Sequence, residues 1–186
     1  NDEGAVVSRT ATSLQAIGLK ASRDGDRIPT LTAMLEAVGG RTPIVVEIKS
    51  RFDGDLRLTE RVIEVLAAYP DHPVCVESFD PRVVAALRVK MPDRPRGYVG
   101  MAEYEYPDYA GCSAQEKHAL ANLTHYSAML PDFLSWKVTD LRDAAPFLSR
   151  EVLGLPLSAW TVRTPEHVAQ SRDHADQMVF EGFLPD

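Results

Sequence analysis

The sequence predicts an α/β fold built on a parallel sheet with helices outside it. Two observations predict it. Short apolar runs rich in β-branched residues alternate with helix-period segments all the way along the chain, and repeated strand–helix units bring their strands together in parallel. The runs are also too short to be buried helices.

The first helix signal is Pro29-Thr30, and its pattern ends at Gly39-Gly40, a left-handed stop. Strands are predicted at 44–49, 73–79, 96–101, 132–138, 156–162 and 177–181. Between the first two, Leu58 to Leu66 places its apolar residues at helical spacing with charges opposite. Asp80-Pro81 opens the next helix as N-cap and first helical position. Val83, Val84, Leu87 and Met91 give it an apolar stripe, and Pro92 stops it. Ser113 to Leu130 reads as one long helix or a helix pair. Thr139-Asp140 and Thr164-Pro165 start two more. The stretch from Glu103 to Gly111, acidic and aromatic, follows a strand. It reads either as a solvated loop with packed tyrosines or as a ligand loop. Six strands fit a doubly wound sheet. They also fit most of an eight-stranded barrel whose first two units are absent.

At 186 residues, one domain over 1–186 is expected. A net charge of -7 disfavours wholesale binding to nucleic acid or to an anionic membrane surface. No stretch is apolar enough to span a bilayer. Cys75 and Cys112 stand in unrelated contexts and read as buried or free thiols. No Gly-x-Gly-x-x-Gly follows the first strand, and neither a P-loop nor a Gly-x-Ser-x-Gly elbow is present, which argues against dinucleotide, nucleotide-triphosphate and serine-hydrolase chemistry. The chain opens Asn1-Asp2-Glu3-Gly4 with no initiator Met and no signal-like segment. The expectation is processing or a missing amino-terminal portion, with a cytoplasmic location.

The run Ile44-Val45-Val46-Glu47-Ile48-Lys49-Ser50 carries the chemistry. Strand side chains alternate, so Glu47 and Lys49 project from one face, while Ile44, Val46 and Ile48 point into an apolar layer. Charges on a strand need a partner. Either the two close the strand end as an ion pair, or they form an anion or metal site. Ser78 reads as a substrate contact or a turn cap, and Lys137 as a second phosphate ligand or a strand-end charge. On an apolar strand Trp160 reads as core.

Four stretches together resemble the glycerophosphodiester phosphodiesterase family: Ile28-Pro29-Thr30-Leu31, Val46-Glu47-Ile48-Lys49, Glu77-Ser78-Phe79-Asp80 and Trp160-Thr161-Val162-Arg163. Gly4 to Ser8 and Thr12 to Leu14 resemble the segment before the proline motif. The resemblance covers nearly the whole chain. It implies an incomplete (β/α)8 TIM barrel of about six parallel strands, and metal-dependent hydrolysis of glycerophosphodiesters to sn-glycerol 3-phosphate and an alcohol. It implies Glu47 as ligand of a divalent metal, Ca2+ or Mg2+, Lys49 on the phosphate, and Trp160 on the glycerol side of the pocket. Lys137 and Ser78 complete the candidate substrate contacts.

The departures from that family are specific. Its His-Arg-Gly, Glu-x-Asp and His-Asp motifs, which supply the acid–base histidines and the rest of the metal site, have no counterpart here. His72, His118, His125, His167 and His174 read as surface or helix-packing residues. Arg163 stands where the family commonly has Asn, and Phe180-Glu181-Gly182 where Thr-Asp is common; Glu181 is then a mouth carboxylate or a strand-end charge. The expectation is therefore no catalytic group in this chain and little activity from it alone, with activity in a longer protein. The alternative is a non-catalytic barrel that binds phosphodiesters. An incomplete barrel also leaves apolar inner and edge surfaces open, to be covered by the missing segment or by a homo-oligomer.

Overall fold

Threonine, serine and aspartate set most of the helix starts. Thr10, Thr30, Asp80, Ser113 and Thr164 each accept a backbone N–H of the first turn through their side-chain oxygen, satisfying a donor that the helix itself leaves unpaired. The computed structural model describes residues 4–20, 22 and 24–184, so the opening Asn1-Asp2-Glu3 lies outside the described residues.

The chain divides into two compact units, Asn1–Pro43 with Glu64–Pro73, and Ile44–Ile63 with Val74–Asp186. In the first, α1 (Ala11–Gln15) is followed by an isolated antiparallel bridge between Gly18 and Arg27 and by α2 (Leu31–Val38). Gly39 ends α2 at φ 58, a left-handed position that favours glycine. Arg41 donates to the last carbonyls of α2, to Val38 O at 2.9 Å and Ala37 O at 2.7 Å. α3 (Arg57–Ala67) begins in the second unit and ends in the first.

The second unit holds the sheet: β1 (Ile44–Glu47), β2 (Val74–Ser78), β3 (Arg96–Gly100), β4 (Phe133–Lys137), β5 (Leu157–Val162) and β6 (Gln177–Phe180). All five pairings are parallel and the spatial order is the sequence order. All six predicted strands form within one or two residues of their expected bounds. This is the curled, open sheet of an incomplete (β/α)8 barrel rather than a doubly wound one, because no strand crosses back to reverse the order. The connecting helices are α4 (Pro81–Lys90), α5 (Ala114–Ala121), α6 (Tyr126–Met129), α7 (Ala144–Glu151) and α8 (Pro165–His174). Ser113 to Leu130 is thus a helix pair. No helix among the described residues is long and apolar enough to cross a membrane.

Alternation assigns the two faces. Tyr98, Leu134, Trp136, Leu157 and Ala159 face outward and are buried against the helix layer with Val84 and Met129. On the inner face, Val45 of β1 and Val179 of β6, the two outer strands, are 56% and 46% exposed. The expected open inner surface is therefore present at both sheet edges.

Thr139-Asp140 does not start a helix. It forms a 3-10 turn, Val138–Asp140, and α7 begins only at Ala144. The reason is remote in sequence: Asp140 Oδ2 accepts the N–H of Ala102 at 2.9 Å, so its carboxylate is spent on the loop after β3 instead of on a helix terminus.

Two β3 glycines face aromatic residues of β4 in register, Gly97 opposite Phe133 and Gly100 opposite Trp136. A Cβ at either would overlap the opposing ring. Trp136 has no exposed surface and no room to retreat. Gly100→Ala is therefore expected to destabilise by about 1–3 kcal/mol, read as a lower urea midpoint with unchanged slope.

Candidate functional site at the carboxyl ends of the strands

The site lies wholly within the second unit. Glu47 ends β1, and Lys49 follows two residues later on the same face, so the two side chains meet: Lys49 Nζ lies 2.7 Å from Glu47 Oε1. The pair sits in solvent, with the lysine side chain 76% and the glutamate 31% exposed. The ion pair expected of the two charges is therefore present, at the carboxyl end of β1.

Glu77 of β2 pairs in register with Glu47, which puts two carboxylates on neighbouring strands, facing inward. Glu77 is buried. Its pKa is pushed up to about 7, first by that burial and next by the charge of Glu47, against a hydrogen bond from Ser135 and the charge of Lys49. Cys75, one inward step below, has its thiol pushed up by burial and then by Glu77. Both cysteines are free thiols.

Ser78, next to Glu77, points the other way and is fully buried. Its hydroxyl donates to Ile48 O at 2.7 Å and accepts from the N–H of Asp80 at 3.1 Å. It ties β1 to β2 and caps the turn; the structure does not bring it to the mouth. Asp80, also buried, accepts from Ser50 Oγ at 2.6 Å and pairs with Arg82 at 3.0 Å. This fixes the loop after Lys49 onto the amino end of α4.

Lys137 ends β4 on the inner face and donates to Tyr106 Oη at 3.2 Å. That hydrogen bond, ahead of any other cause, raises its pKa and keeps it charged. Opposite it in register stands Trp160, whose Nε1 donates to Ser135 O at 3.1 Å. The Trp160 ring packs edge-on to Phe79 at 5.4 Å. Arg163 and Glu181, the two residues that close β5 and β6, pair with each other, so Glu181 is a charge answered within the rim.

A cavity of about 560 Å³ opens beside Lys49, walled by Phe52, Phe79 and Tyr109 with Ser50, Arg51 and Asp108. Trp160 stands behind Phe79 and does not line it. The stretch after β3 packs Tyr104 and Tyr109 and leaves Tyr106 exposed, and Tyr109 reaches this cavity. Among the described residues no histidine lines the cavity. The side-chain amide of Asn122, just past α5, donates to the His118 carbonyl and lies within 3.4 Å of its Nδ1, His174 accepts from Arg142, and His167 accepts the N–H of Arg163.

Solved structures decide the fold. A glycerophosphodiester phosphodiesterase from Parabacteroides distasonis superposes on 92% of this chain with a TM-score of 0.70 at 15% identity. A phosphodiesterase from Oleispira antarctica, in complex with the product sn-glycerol-3-phosphate, superposes on 95% with a TM-score of 0.71 at 16% identity. The chain has the fold of the glycerophosphodiester phosphodiesterases. A third such enzyme, from Agrobacterium tumefaciens, superposes on 97% with a TM-score of 0.61 at 15% identity. The chain spans 66%, 68% and 71% of the lengths of these three proteins. No family model and no curated protein matches the sequence.

In a glycerophosphodiester phosphodiesterase fold, the carboxyl ends of the strands are where barrel sites are built. Sequence reasoning named Glu47, Lys49, Lys137 and Trp160 there. It passed over Glu77, Phe79, Phe52 and Tyr109. The signal for Glu77 was in the sequence: a carboxylate in an otherwise apolar run, at the strand end, with the parity opposite to Ser78.

Proposed function

We propose that this chain carries the phosphate-binding and metal-binding groups for metal-assisted hydrolysis of glycerophosphodiesters to sn-glycerol 3-phosphate and an alcohol. One observation carries the reading: Glu47 and Glu77 lie in register on adjacent strands beside Lys49. The fold and the product bound by the Oleispira antarctica protein support the same substrate class.

The residues present fit a hard divalent cation, Ca2+ or Mg2+, by donor type. Both carboxylates are oxygen ligands, and the charge of one disfavours ionisation of the other, a repulsion that a dication between them would relieve. Glu47 and Glu77 would hold it. Among the described residues no third His, Cys, Asp or Glu joins them. The chemistry such a cation supplies is polarisation of a phosphoryl oxygen. Lys49 meets the non-bridging oxygens as a point charge, Lys137 adds a second positive charge across the mouth, and Trp160 braces Phe79 against the open side.

Purified protein incubated with glycerophosphodiesters and Mg2+ or Ca2+ is expected to bind them and to release little sn-glycerol 3-phosphate, whereas a version that also carries the family's acid–base histidines is expected to release it until chelator is added. A second reading, binding of phosphodiesters without turnover, is favoured by the lack of a histidine on the cavity wall. It predicts cation-dependent diester binding with no product. Absence of both binding and product would overturn both readings. Lys49→Ala is expected to weaken diester binding about tenfold or more, the scale of losing one charge-assisted contact to phosphate. An unchanged affinity would remove Lys49 from the site.

A further inference from the structure

Three cations around the mouth of the sheet are answered by carboxylates: Lys49 by Glu47, Arg51 by Asp53 and Arg163 by Glu181. Lys137 is different. Among the described residues it makes no ion pair, and its ammonium donates to a neutral phenol, Tyr106 Oη, at 3.2 Å. Asp140 and Glu103 act on it only through space. The Asp140 carboxylate is already taken by the N–H of Ala102 and the hydroxyl of Thr139. Ser135, one inward step earlier on β4, donates to Glu77, so Lys137 is the next inward side chain toward the carboxyl end of that strand.

Tyr106 adds a second donor at the same place. An ammonium has no acceptor, so Lys137 donates and the phenol oxygen accepts. The phenol hydrogen then has no acceptor among the described residues, and neither have the other N–H groups of Lys137. A hydroxyl and an ammonium side by side, both with hydrogens left to donate, match an anionic oxygen.

The loop that carries Tyr106 is fixed on both sides of it. Before it, the N–H of Ala102 is held by Asp140, Tyr104 is buried with its hydroxyl 3.1 Å from that of Tyr98, and Glu105 pairs with Lys117 at 3.0 Å. After it, Pro107 favours extended backbone at the residue that precedes it, and Tyr106 stands at φ -84 and ψ 154. Tyr104 and Tyr109 are 1% and 6% exposed, whereas Tyr106 is left 48% exposed, its ring 5.6 Å from the Lys137 ammonium. A donor pair already held in place loses little freedom when it binds.

We infer that Tyr106 and Lys137 form a two-donor seat for one non-bridging oxygen of the phosphodiester, with Tyr106 a binding residue in its own right and not a prop for Lys137. The phosphate is then met from two sides, by Lys49 after β1 and by this pair from β4 and the loop after β3. The inference rests on the proposed diester reading and adds a residue to it.

The test is a double-substitution cycle on the full chain, read by calorimetric titration of glycerophosphoglycerol with Mg2+ present. Tyr106→Phe keeps the ring beside the ammonium and removes the hydroxyl. Lys137→Met keeps the apolar stem and removes the charge. Tyr106 is exposed and Lys137 half-buried, so unchanged urea midpoints are expected. Each substitution is expected to weaken binding about tenfold, the scale of one hydrogen bond to a charged group. The deciding comparison is Tyr106→Phe made in the Lys137→Met background. A phenol that itself meets the phosphate predicts a further loss of at least about threefold there. A phenol that only props Lys137 predicts no further loss, and that result would overturn the inference. Full affinity in Tyr106→Phe alone, with binding still lost in Lys49→Ala, would also overturn it while leaving the diester reading intact. No binding of the probe by the unsubstituted chain would overturn both.

Discussion

Glu47→Ala is expected to lower the affinity for a divalent cation by at least about 100-fold. Loss of a residue that merely orients a metal ligand costs about 10–100-fold, and Glu47 is proposed as a ligand itself. Its removal leaves Glu77 as the one inward carboxylate of the pair, and Glu77 is buried, with a pKa of about 7. It also frees Lys49, whose ion pair is with Glu47. The variant should therefore bind phosphate alone no worse than the parent while losing the cation-dependent part of diester binding. Titration of Ca2+ and of Mg2+ into both proteins checks this. Equal cation affinities would remove Glu47 from any metal site. The fold should survive, because the Glu47 side chain is partly exposed at a strand end.

Glu77→Gln is expected to change how stability depends on pH. The Glu77 carboxyl is pushed up from its ordinary 4.5 to about 7 in the folded protein. Below 4.5 the folded and unfolded chains both hold the proton. Between 4.5 and about 7 the unfolded chain releases it and the folded chain keeps it, so stability falls as pH rises through that window. Above about 7 both are ionised and the loss is complete. The full difference is on the order of 3 kcal/mol, as about 1.4 kcal/mol per pKa unit requires. The glutamine variant lacks this term, so its stability should exceed the parent's increasingly from about pH 5 to about pH 7. Urea midpoints measured with chelator present, which keeps cations off the carboxylates, read the difference. Parallel curves for the two proteins would show that Glu77 titrates normally.

The sheet was legible in the sequence because its signals are local. Ile44-Val45-Val46, Val74-Cys75-Val76 and Leu157 to Val162 each state a strand within their own few residues, and Asp80-Pro81 and Thr164-Pro165 state their helix starts in two. Glu47 and Lys49 were legible for the same reason: alternation along one strand needs no neighbour. What was not legible depends on partners distant in the chain. Choosing Ser78 over Glu77 followed from reading β2 alone; pairing it in register with β1 puts Glu77, not Ser78, beside Glu47. Asp140 looked like a helix start until the Ala102 N–H claimed its carboxylate. Tyr109 and Phe52 come from two different loops, and only the packed structure brings their rings together. Arg163 and Glu181 stood out singly as departures from the family pattern, and the structure makes them partners.

Glu47, Glu77 and Lys49 are proposed to hold a divalent cation and a glycerol phosphate together at the mouth of the sheet. Calorimetric titration of sn-glycerol 3-phosphate into the protein, once with Mg2+ or Ca2+ and once with chelator, tests it most directly. Saturable one-to-one binding is expected that chelator weakens about tenfold or more, that Glu47→Ala makes insensitive to chelator, and that Lys49→Ala weakens under both conditions. Binding that is equally tight with and without chelator, or that survives both substitutions unchanged, would contradict it.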